Sequence, residues 1–147
     1  MNSPEPRLWL LVEDDENDFL LLKRALQRAD PSAQLQWVRD GAEAKEYLEG
    51  NARFSDRSAF PLPSVILSDL KMPRCSGLEL VQWLRGQSQF RTLRFIMFSS
   101  SDQPGDVALA YQDGVNWYLA KPSTFNGLVE MLSRLAENLS VSEWKGY

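Results

Sequence analysis

Acidic side chains follow two short apolar runs of the sequence. Glu13–Asp15 comes directly after the run Arg7–Val12, and Asp69 comes directly after Ser64–Ser68. Carboxylates about 4 Å apart repel one another by about 4 kcal/mol per pair at an effective dielectric near 20, so a cluster of them needs a compensating cation. Oxygen ligands suit a hard divalent ion such as Mg²⁺, with Mn²⁺ as the alternative. The pattern therefore predicts a divalent cation site wherever the fold joins these two run ends.

Hydroxyl groups and a lysine follow two further apolar runs. Ser99–Ser101 comes after Leu93–Phe98, and Lys121 comes after Val115–Ala120. Taken singly, such residues are typical of turns and loops. At matching ends of neighbouring strands they suit a visiting phosphoryl group, for which a strand-end carboxylate such as Asp69 can be the nucleophile. The hydroxyl, the lysine and the cation would then neutralise the phosphoryl oxygens.

The elements that must position these residues alternate along the chain. Each apolar run is followed by a helical pattern, which predicts a doubly wound (βα)5 fold of the α/β class with right-handed crossovers. Ligands bind such sheets beyond the carboxyl ends of the strands, where the strand order reverses. The predicted strands are Arg7–Val12, Gln34–Val38, Ser64–Ser68, Leu93–Phe98 and Val115–Ala120, and the helices begin near Asp15 or Asn17, after Asp40, at Gly77, at Pro104 and near Phe125.

Composition excludes several classes of function. The 147 residues predict one domain, and they contain no histidine, which excludes histidine-based triads and imidazole metal ligands. The lone cysteine, Cys75, cannot form an internal disulfide or a cysteine-rich zinc site. A net charge of −4 argues against a general nucleic-acid binder. No apolar run approaches the roughly 20 residues of a membrane span, so we expect no membrane insertion and a cytoplasmic location.

Four segments resemble the receiver domains of two-component response regulators, the family that includes the bacterial chemotaxis regulator. They are LLVEDDE (Leu10–Glu16), ILSDLKMPRCSG (Ile66–Gly77), FIMFSSSD (Phe95–Asp102) and GVNWYLAKP (Gly114–Pro122), and their order and spacing also match. The resemblance implies a flavodoxin-like sandwich around a parallel five-stranded sheet of order 2-1-3-4-5. It predicts a receiver domain over residues 7–139, an N-terminal extension over 1–6 and a C-terminal tail over 140–147.

The resemblance also implies the phosphorylation site and its metal ligands. Asp69 is the implied phosphorylation site and a metal ligand. Asp14 would bind Mg²⁺ directly, Glu13 would act through a water, and Lys71 would contribute its backbone carbonyl. Asp15 offers a competing register, but the alignment makes it the helix cap.

A second group of residues is implied to bind the phosphoryl group and to transmit its presence. Ser99 matches the switch hydroxyl, Lys121 the phosphate-binding lysine, and Tyr118 the aromatic switch whose ring turns inward. Ser100, Ser101 and Pro122 are accessory positions, and the family has a cis peptide bond between Lys121 and Pro122.

The predicted partners follow from what the sequence lacks. A receiver needs no histidine of its own, because the phosphohistidine resides on a histidine kinase or a phosphotransfer protein. The 13-residue connection Asn51–Pro63 is similar to receivers that partner bacterial phytochromes. With no output module expected, the signal leaves through the face of the fourth helix, fifth strand and last helix, to which we assign Val107, Tyr111, Trp117 and Tyr118. A homodimer through that face, or through Trp144 and Tyr147 of the tail, is a further hypothesis; the downstream target stays unidentified.

Three rival interpretations remain at this point. The most serious is a pseudo-receiver that binds partners without phosphorylation. A Mg²⁺-dependent phosphohydrolase of the haloacid dehalogenase type needs D-x-D on the first strand, where this chain has Glu13-Asp14-Asp15. A flavodoxin-like FMN binder needs a phosphate loop rich in hydroxyls and glycine there, which four acids oppose. In the preferred interpretation the chain is not an enzyme beyond its own phosphorylation and dephosphorylation.

Overall fold

Strands and helices alternate throughout the chain. The computed structural model describes residues 7–100 and 103–139. Within them lie β1 (Leu8–Val12), α1 (Glu16–Ala29), β2 (Gln34–Val38), α2 (Gly41–Glu49), β3 (Val65–Ser68), α3 (Gly77–Gly86), β4 (Arg94–Ser99), α4 (Pro104–Asp113), β5 (Trp117–Ala120) and α5 (Phe125–Leu139). The strand bounds differ from the predicted ones by at most two residues. No helix in the described ranges has both the length and the apolarity needed to span a membrane.

The five strands form one parallel sheet of order β2-β1-β3-β4-β5. After β2 the chain crosses to the opposite side of β1, so the direction of winding reverses between β1 and β3. Val12 lies opposite Ser68 in the β1–β3 pair. The residues that directly follow these two strands are therefore neighbours, and the predicted flavodoxin-like fold is confirmed.

Alternating side chains of each strand supply two separate cores. Leu10 and Val12 of β1 pack with α2 and α3, whereas Trp9 and Leu11 pack with α1 and α5. The same alternation turns Trp117 of β5 into the α1/α5 layer, where only 1% of its surface is exposed. Trp117 of β5 is therefore a core residue beside α5 and offers no exposed surface to a partner.

Side chains that follow the strands cap several of the helices. Asp15 accepts a hydrogen bond from the backbone N–H of Asp18 at 3.0 Å, which identifies Asp15 rather than Asn17 as the cap of α1. Asp40 caps α2 in the same way, and Gly50 ends it in the left-handed conformation at φ 73°. These caps begin α1 and α2 immediately beyond the sheet edge.

The connection at residues 51–63 is an ordered cover on α2. It begins with a single 3-10 turn, Ala52–Phe54, whose Phe54 ring is buried 5.0 Å from the ring of Tyr47. Arg57 donates a hydrogen bond to the Leu48 carbonyl at 2.7 Å, and the Tyr47 hydroxyl donates to the Pro61 carbonyl at 2.8 Å. The segment that the sequence left irregular is thus packed against the helix before it.

Arg85 joins the loops that precede β4 and β5. These loops lie at the amino ends of the strands, opposite the carboxyl ends that carry the acidic residues. Its guanidinium donates to the carbonyls of Gly114 at 2.9 Å and Leu93 at 2.6 Å, and to Asn116 Oδ1 at 3.0 Å. A third carbonyl, that of Arg91, accepts at 2.9 Å. Burial lowers the pKa of Arg85, but the planar fork of donors satisfies four acceptors at once.

Arg85→Lys is expected to lower the free energy of unfolding by about 2–3 kcal/mol, because an ammonium cannot reach all four acceptors and leaves partly buried carbonyls without donors. Urea denaturation measures the change. Arg91→Lys makes the same substitution on an exposed side chain and is the matched control. Equal stabilities of the two variants would contradict the role assigned to Arg85.

Candidate functional site

Three carboxylates converge beyond the carboxyl ends of β1 and β3. Glu13, Asp14 and Asp69 each offer an oxygen, and these oxygens all lie within 4.8 Å of one another. The register of the β1–β3 pair brings them together, as the sequence predicted. Glu13 is buried, with 2% of its surface exposed, while Asp14 is exposed and Asp69 lies between these extremes.

Backbone hydrogen bonds fix both acidic loops. The Glu13 N–H donates to the Val38 carbonyl and the Asp69 N–H to the Val12 carbonyl, each at 3.0 Å. The indole Nε1 of Trp37 donates to the Glu13 carbonyl at 2.7 Å, and its ring stacks on Phe19 at 4.1 Å. Trp37 was not predicted from the sequence. An aromatic N–H donor near the end of the strand beside β1 is the feature that could have indicated this contact.

The two carboxylate oxygens of Asp69 have different surroundings. Oδ1 accepts the backbone N–H of Leu70 at 2.7 Å, whereas Oδ2 faces the Lys121 ammonium at 3.4 Å. The Asp69 carbonyl accepts the Ser68 hydroxyl at 2.8 Å. A Cβ on Gly77 would clash with that carbonyl oxygen, so α3 starts against the Asp69 backbone in a space that only glycine leaves open.

Lys121 places one ammonium among three acids. Its Nζ lies 3.4 Å from Asp69 Oδ2, 3.8 Å from Asp18 Oδ2 and 4.0 Å from Glu13 Oε1. Its backbone N–H donates to the Ser99 carbonyl at 2.9 Å, which holds the end of β5 against the end of β4. Asp18 was not predicted from sequence, although its position one turn after the cap of α1 directs it back toward the strand ends.

Burial raises the pKa of Glu13 to about 8. The Lys121 ammonium opposes this rise, while the Asp69 charge and hydrogen bonds with Asp18 and Asp69 add to it. Burial, the largest of these causes, thus disfavours the charged form of the Glu13 carboxyl group. Oxygen-only donors with an excess of negative charge fit a hard divalent cation, which would restore the ionised form of Glu13.

The remaining predicted residues surround this cluster at different depths. Ser99 ends β4 and is buried, whereas Ser100 after it is exposed. Ser101 lies outside the described residues, as do Trp144 and Tyr147. The Lys71 side chain is exposed in the loop after Asp69, in keeping with a part played by its backbone alone.

Tyr118 of β5 is half-buried and packs against the α2/α3 layer. Its backbone N–H donates to the Tyr111 hydroxyl of α4 at 3.0 Å. The exposed fraction of Tyr111 is 40%, and Val107 of the same helix is half-buried. The predicted face of α4, β5 and α5 thus carries these three residues without Trp117.

The peptide bond between Lys121 and Pro122 is trans, since the described residues contain no cis peptide bond. The cis bond that the resemblance implied is therefore corrected. An X–Pro bond favours trans by about 0.5–1 kcal/mol unless local packing overrides it. Here the trans bond is compatible with both contacts of Lys121, to the Ser99 carbonyl and to Asp69.

Comparison with known proteins gives one consistent family. Residues 9–133 match the response regulator receiver domain. Response regulator RPA3017, in red light signaling of R. palustris, is 37% identical with a TM-score of 0.83 over 88% of this chain and 90% of its own. The Mn²⁺-bound form of response regulator Rcp1, a Synechocystis protein, is 26% identical with a TM-score of 0.81 over 95% and 99%. The phosphorylated cyanobacterial phytochrome response regulator RcpA is 25% identical with a TM-score of 0.84 over 94% and 96%.

The family match covers most of the chain, and it coincides with the segments that carry the acidic cluster and Lys121. The sheet order, the carboxylate positions and the matched residues agree with one another. The chain belongs to the family of response regulator receiver domains.

Proposed function

We propose that the chain is a phosphoryl-accepting switch in which Asp69 receives a phosphoryl group from a phosphohistidine on another protein. The observation that carries this proposal is the setting of its carboxylate. Oδ1 is bound by the Leu70 N–H at 2.7 Å, and Oδ2 lies 3.4 Å from the Lys121 ammonium within the acidic cluster. We assign Oδ2 as the attacking oxygen, because the ammonium beside it can neutralise the incoming phosphoryl group.

The transfer needs few groups from the protein. A lone pair of Asp69 Oδ2 attacks phosphorus while the P–N bond of the donor breaks, and the imidazole nitrogen keeps that electron pair and regains a proton. Lys121 and the Ser99 hydroxyl then neutralise phosphoryl oxygens. Dephosphorylation is a separate step, in which water attacks phosphorus, the bond between phosphorus and Asp69 Oδ2 breaks, and inorganic phosphate leaves as the carboxylate is regenerated. The chain acts as a signalling protein whose chemistry is confined to its own Asp69.

The metal site belongs to the same proposal. Glu13 through a water, the carboxylates of Asp14 and Asp69, and the backbone carbonyl of Lys71 would hold Mg²⁺, or Mn²⁺ in its place. The closeness of the three carboxylates and the raised pKa of Glu13 support this ligand set. When bound, the cation supplies charge neutralisation for the phosphoryl oxygens.

The donor we propose is a cytoplasmic histidine kinase or phosphotransfer protein, and specifically a kinase of the bacterial phytochrome type. The similarity to a response regulator of red light signaling and to a phytochrome response regulator supports that choice. The signal would leave through α4, β5 and α5, where Leu109 and Tyr111 are exposed to 49% and 40%. Self-association through this face stays a prediction.

The function is tested by intact mass after incubation with acetyl phosphate or phosphoramidate and Mg²⁺. We expect the gain of one phosphoryl group, dependent on the cation. A pseudo-receiver would gain none, although it would keep the fold.

Asp14→Asn is expected to weaken Mg²⁺ binding by at least about 10-fold, because it removes the charge of a direct ligand. Loss of a residue that only hydrogen-bonds a metal ligand already lowers metal affinity by about 10-fold. The measurement is the rise in melting temperature as Mg²⁺ is added. Asp15→Asn removes the same charge one residue away and keeps an oxygen that can cap α1, so it is expected to bind Mg²⁺ nearly as the wild type does. Equal loss in both variants would contradict the assignment of Asp14.

A further inference from the structure

Asp18 is held close to Lys121 by the cap of α1. Its backbone N–H donates to Asp15 Oδ1 at 3.0 Å, which fixes the first turn of the helix beyond β1. From there the carboxylate Oδ2 lies 3.8 Å from the Lys121 Nζ, with 49% of the side chain exposed. The contact joins α1 to the loop after β5, outside the three carboxylates of the metal cluster.

The Lys121 ammonium donates a hydrogen bond to Asp69 and forms longer ion pairs with Asp18, at 3.8 Å, and with Glu13, at 4.0 Å. Its Nζ lies 3.4 Å from Asp69 Oδ2 and 3.8 Å from Asp18 Oδ2, so both carboxylates are within ion-pair distance. The stem of the lysine passes the Phe98 ring, whose centroid lies 5.6 Å from Nζ, and its side chain is 22% exposed. Packing thus places the ammonium between the two acids.

Phosphorylation changes the demand on this one cation. The acyl phosphate carries about 1.5–2 negative charges on three acceptor oxygens, in place of the single charge of the Asp69 carboxylate. Any attraction that Asp18 exerts on Nζ then opposes full engagement of the phosphoryl oxygens. The Asp18 side chain is 49% exposed, so its attraction for the ammonium is weak. We expect the phosphoryl group to overcome it, with a measurable effect on affinity.

We propose that Asp18 is a positioning residue that competes for the ammonium of Lys121 and so weakens the hold of Lys121 on a phosphoryl group at Asp69. The proposal rests on the proposed function and deepens it, since it assigns to α1 a residue that sets the stability of the phosphorylated state. Asp18 acts through Lys121 and takes no part in the transfer itself.

The test measures how tightly beryllium trifluoride, a noncovalent mimic of the phosphoryl group, binds the full chain at saturating Mg²⁺, so that the hydrogen bond between Asp18 and Glu13 does not act through cation binding. Half-saturation is followed by the ¹⁹F resonance of the bound group. Asp18→Asn is expected to bind the mimic about two- to fivefold more tightly, the range that an exposed ion pair allows. Asp18→Glu restores the charge with a longer reach and is expected to return the affinity close to that of the wild type.

The matched control is Glu16→Gln. Glu16 is an exposed acid in the same turn of α1, so this variant changes the net charge and the interaction with the helix dipole as Asp18→Asn does. It is expected to leave the affinity unchanged. Equal tightening in Asp18→Asn and Glu16→Gln would reduce the effect to general charge and overturn the proposal, as would unchanged affinity in Asp18→Asn.

The two levels of proposal fail differently. A wild-type chain that binds no mimic and gains no phosphoryl group from acetyl phosphate would overturn both. A wild-type chain that gains the phosphoryl group, with mimic affinities that do not depend on Asp18, would overturn only the role of Asp18. Melting temperatures of all variants without the mimic check that none of the differences comes from folding.

Discussion

Asp69→Asn is expected to slow the gain of a phosphoryl group from acetyl phosphate on the order of 10⁴-fold or more, the scale seen when other covalent nucleophiles are removed. The amide keeps the shape of the side chain and can still accept the Leu70 N–H, as Oδ1 does at 2.7 Å. It lacks the anionic oxygen that faces Lys121 at 3.4 Å. Intact mass in the presence of Mg²⁺ follows the reaction.

The matched control for this prediction is Asp56→Asn. Asp56 is exposed in the cover on α2, and its Oδ1 accepts hydrogen bonds from Ser58 that an amide oxygen can also accept. This variant is expected to gain the phosphoryl group at the wild-type rate. A modified Asp69→Asn protein, with peptide mapping to Asp14 or another acid, would show that the acceptor has been misassigned.

Gly77→Ala is expected to lower the free energy of unfolding by about 3 kcal/mol and to slow phosphoryl acceptance by about 10-fold or more. The added Cβ would clash with the Asp69 carbonyl oxygen and lie 2.7 Å from the Met97 sulfur, so either α3 or the loop that carries Asp69 must shift. Denaturation in urea measures the first effect, and the rate of mass gain measures the second.

Gly86→Ala provides the comparison within the same helix. Gly86 ends α3, and an added Cβ there meets nothing within 4 Å. We expect a change of about 0.5 kcal/mol or less, in the stabilising direction, because alanine reduces the freedom of the unfolded chain. If Gly77→Ala behaved like Gly86→Ala, α3 would not be pressed against the acceptor as described.

The fold was predictable because local patterns and sheet topology agree. Five strand patterns, each followed by a helical pattern, specify parallel strands with helices on both faces. Asp15, Asp40 and Gly50 mark helix ends through hydrogen bonds or backbone angles that their types favour. The cover on α2 was not predictable. The segment is held by ring contacts and by hydrogen bonds of Arg57, and the pattern of residue types along the chain does not specify either.

The site divides in the same way. Glu13, Asp14, Asp69, Ser99 and Lys121 stand at strand ends, so the sheet alone brings them together. Trp37 and Asp18 make contacts with residues of other elements. The Trp37 indole donates to the Glu13 carbonyl at 2.7 Å, and the Asp18 carboxylate lies 3.8 Å from the Lys121 ammonium. No spacing along the chain specifies these contacts. The isomer of the Lys121–Pro122 bond was wrongly predicted because it came from resemblance and not from any local physical requirement.

The guanidinium of Arg85 links β4 and β5 at their amino ends. It ties Leu93, just before β4, to Gly114 and Asn116, just before β5, so the amino ends of these strands cannot separate without breaking its hydrogen bonds. Ser99 and Ala120 form the opposite end of the same strand pair, where Lys121 follows. The Phe95 N–H also donates to Asn116 Oδ1 at 2.8 Å, so two side chains, Arg85 and Asn116, join the amino ends of β4 and β5 at the end remote from the acceptor site.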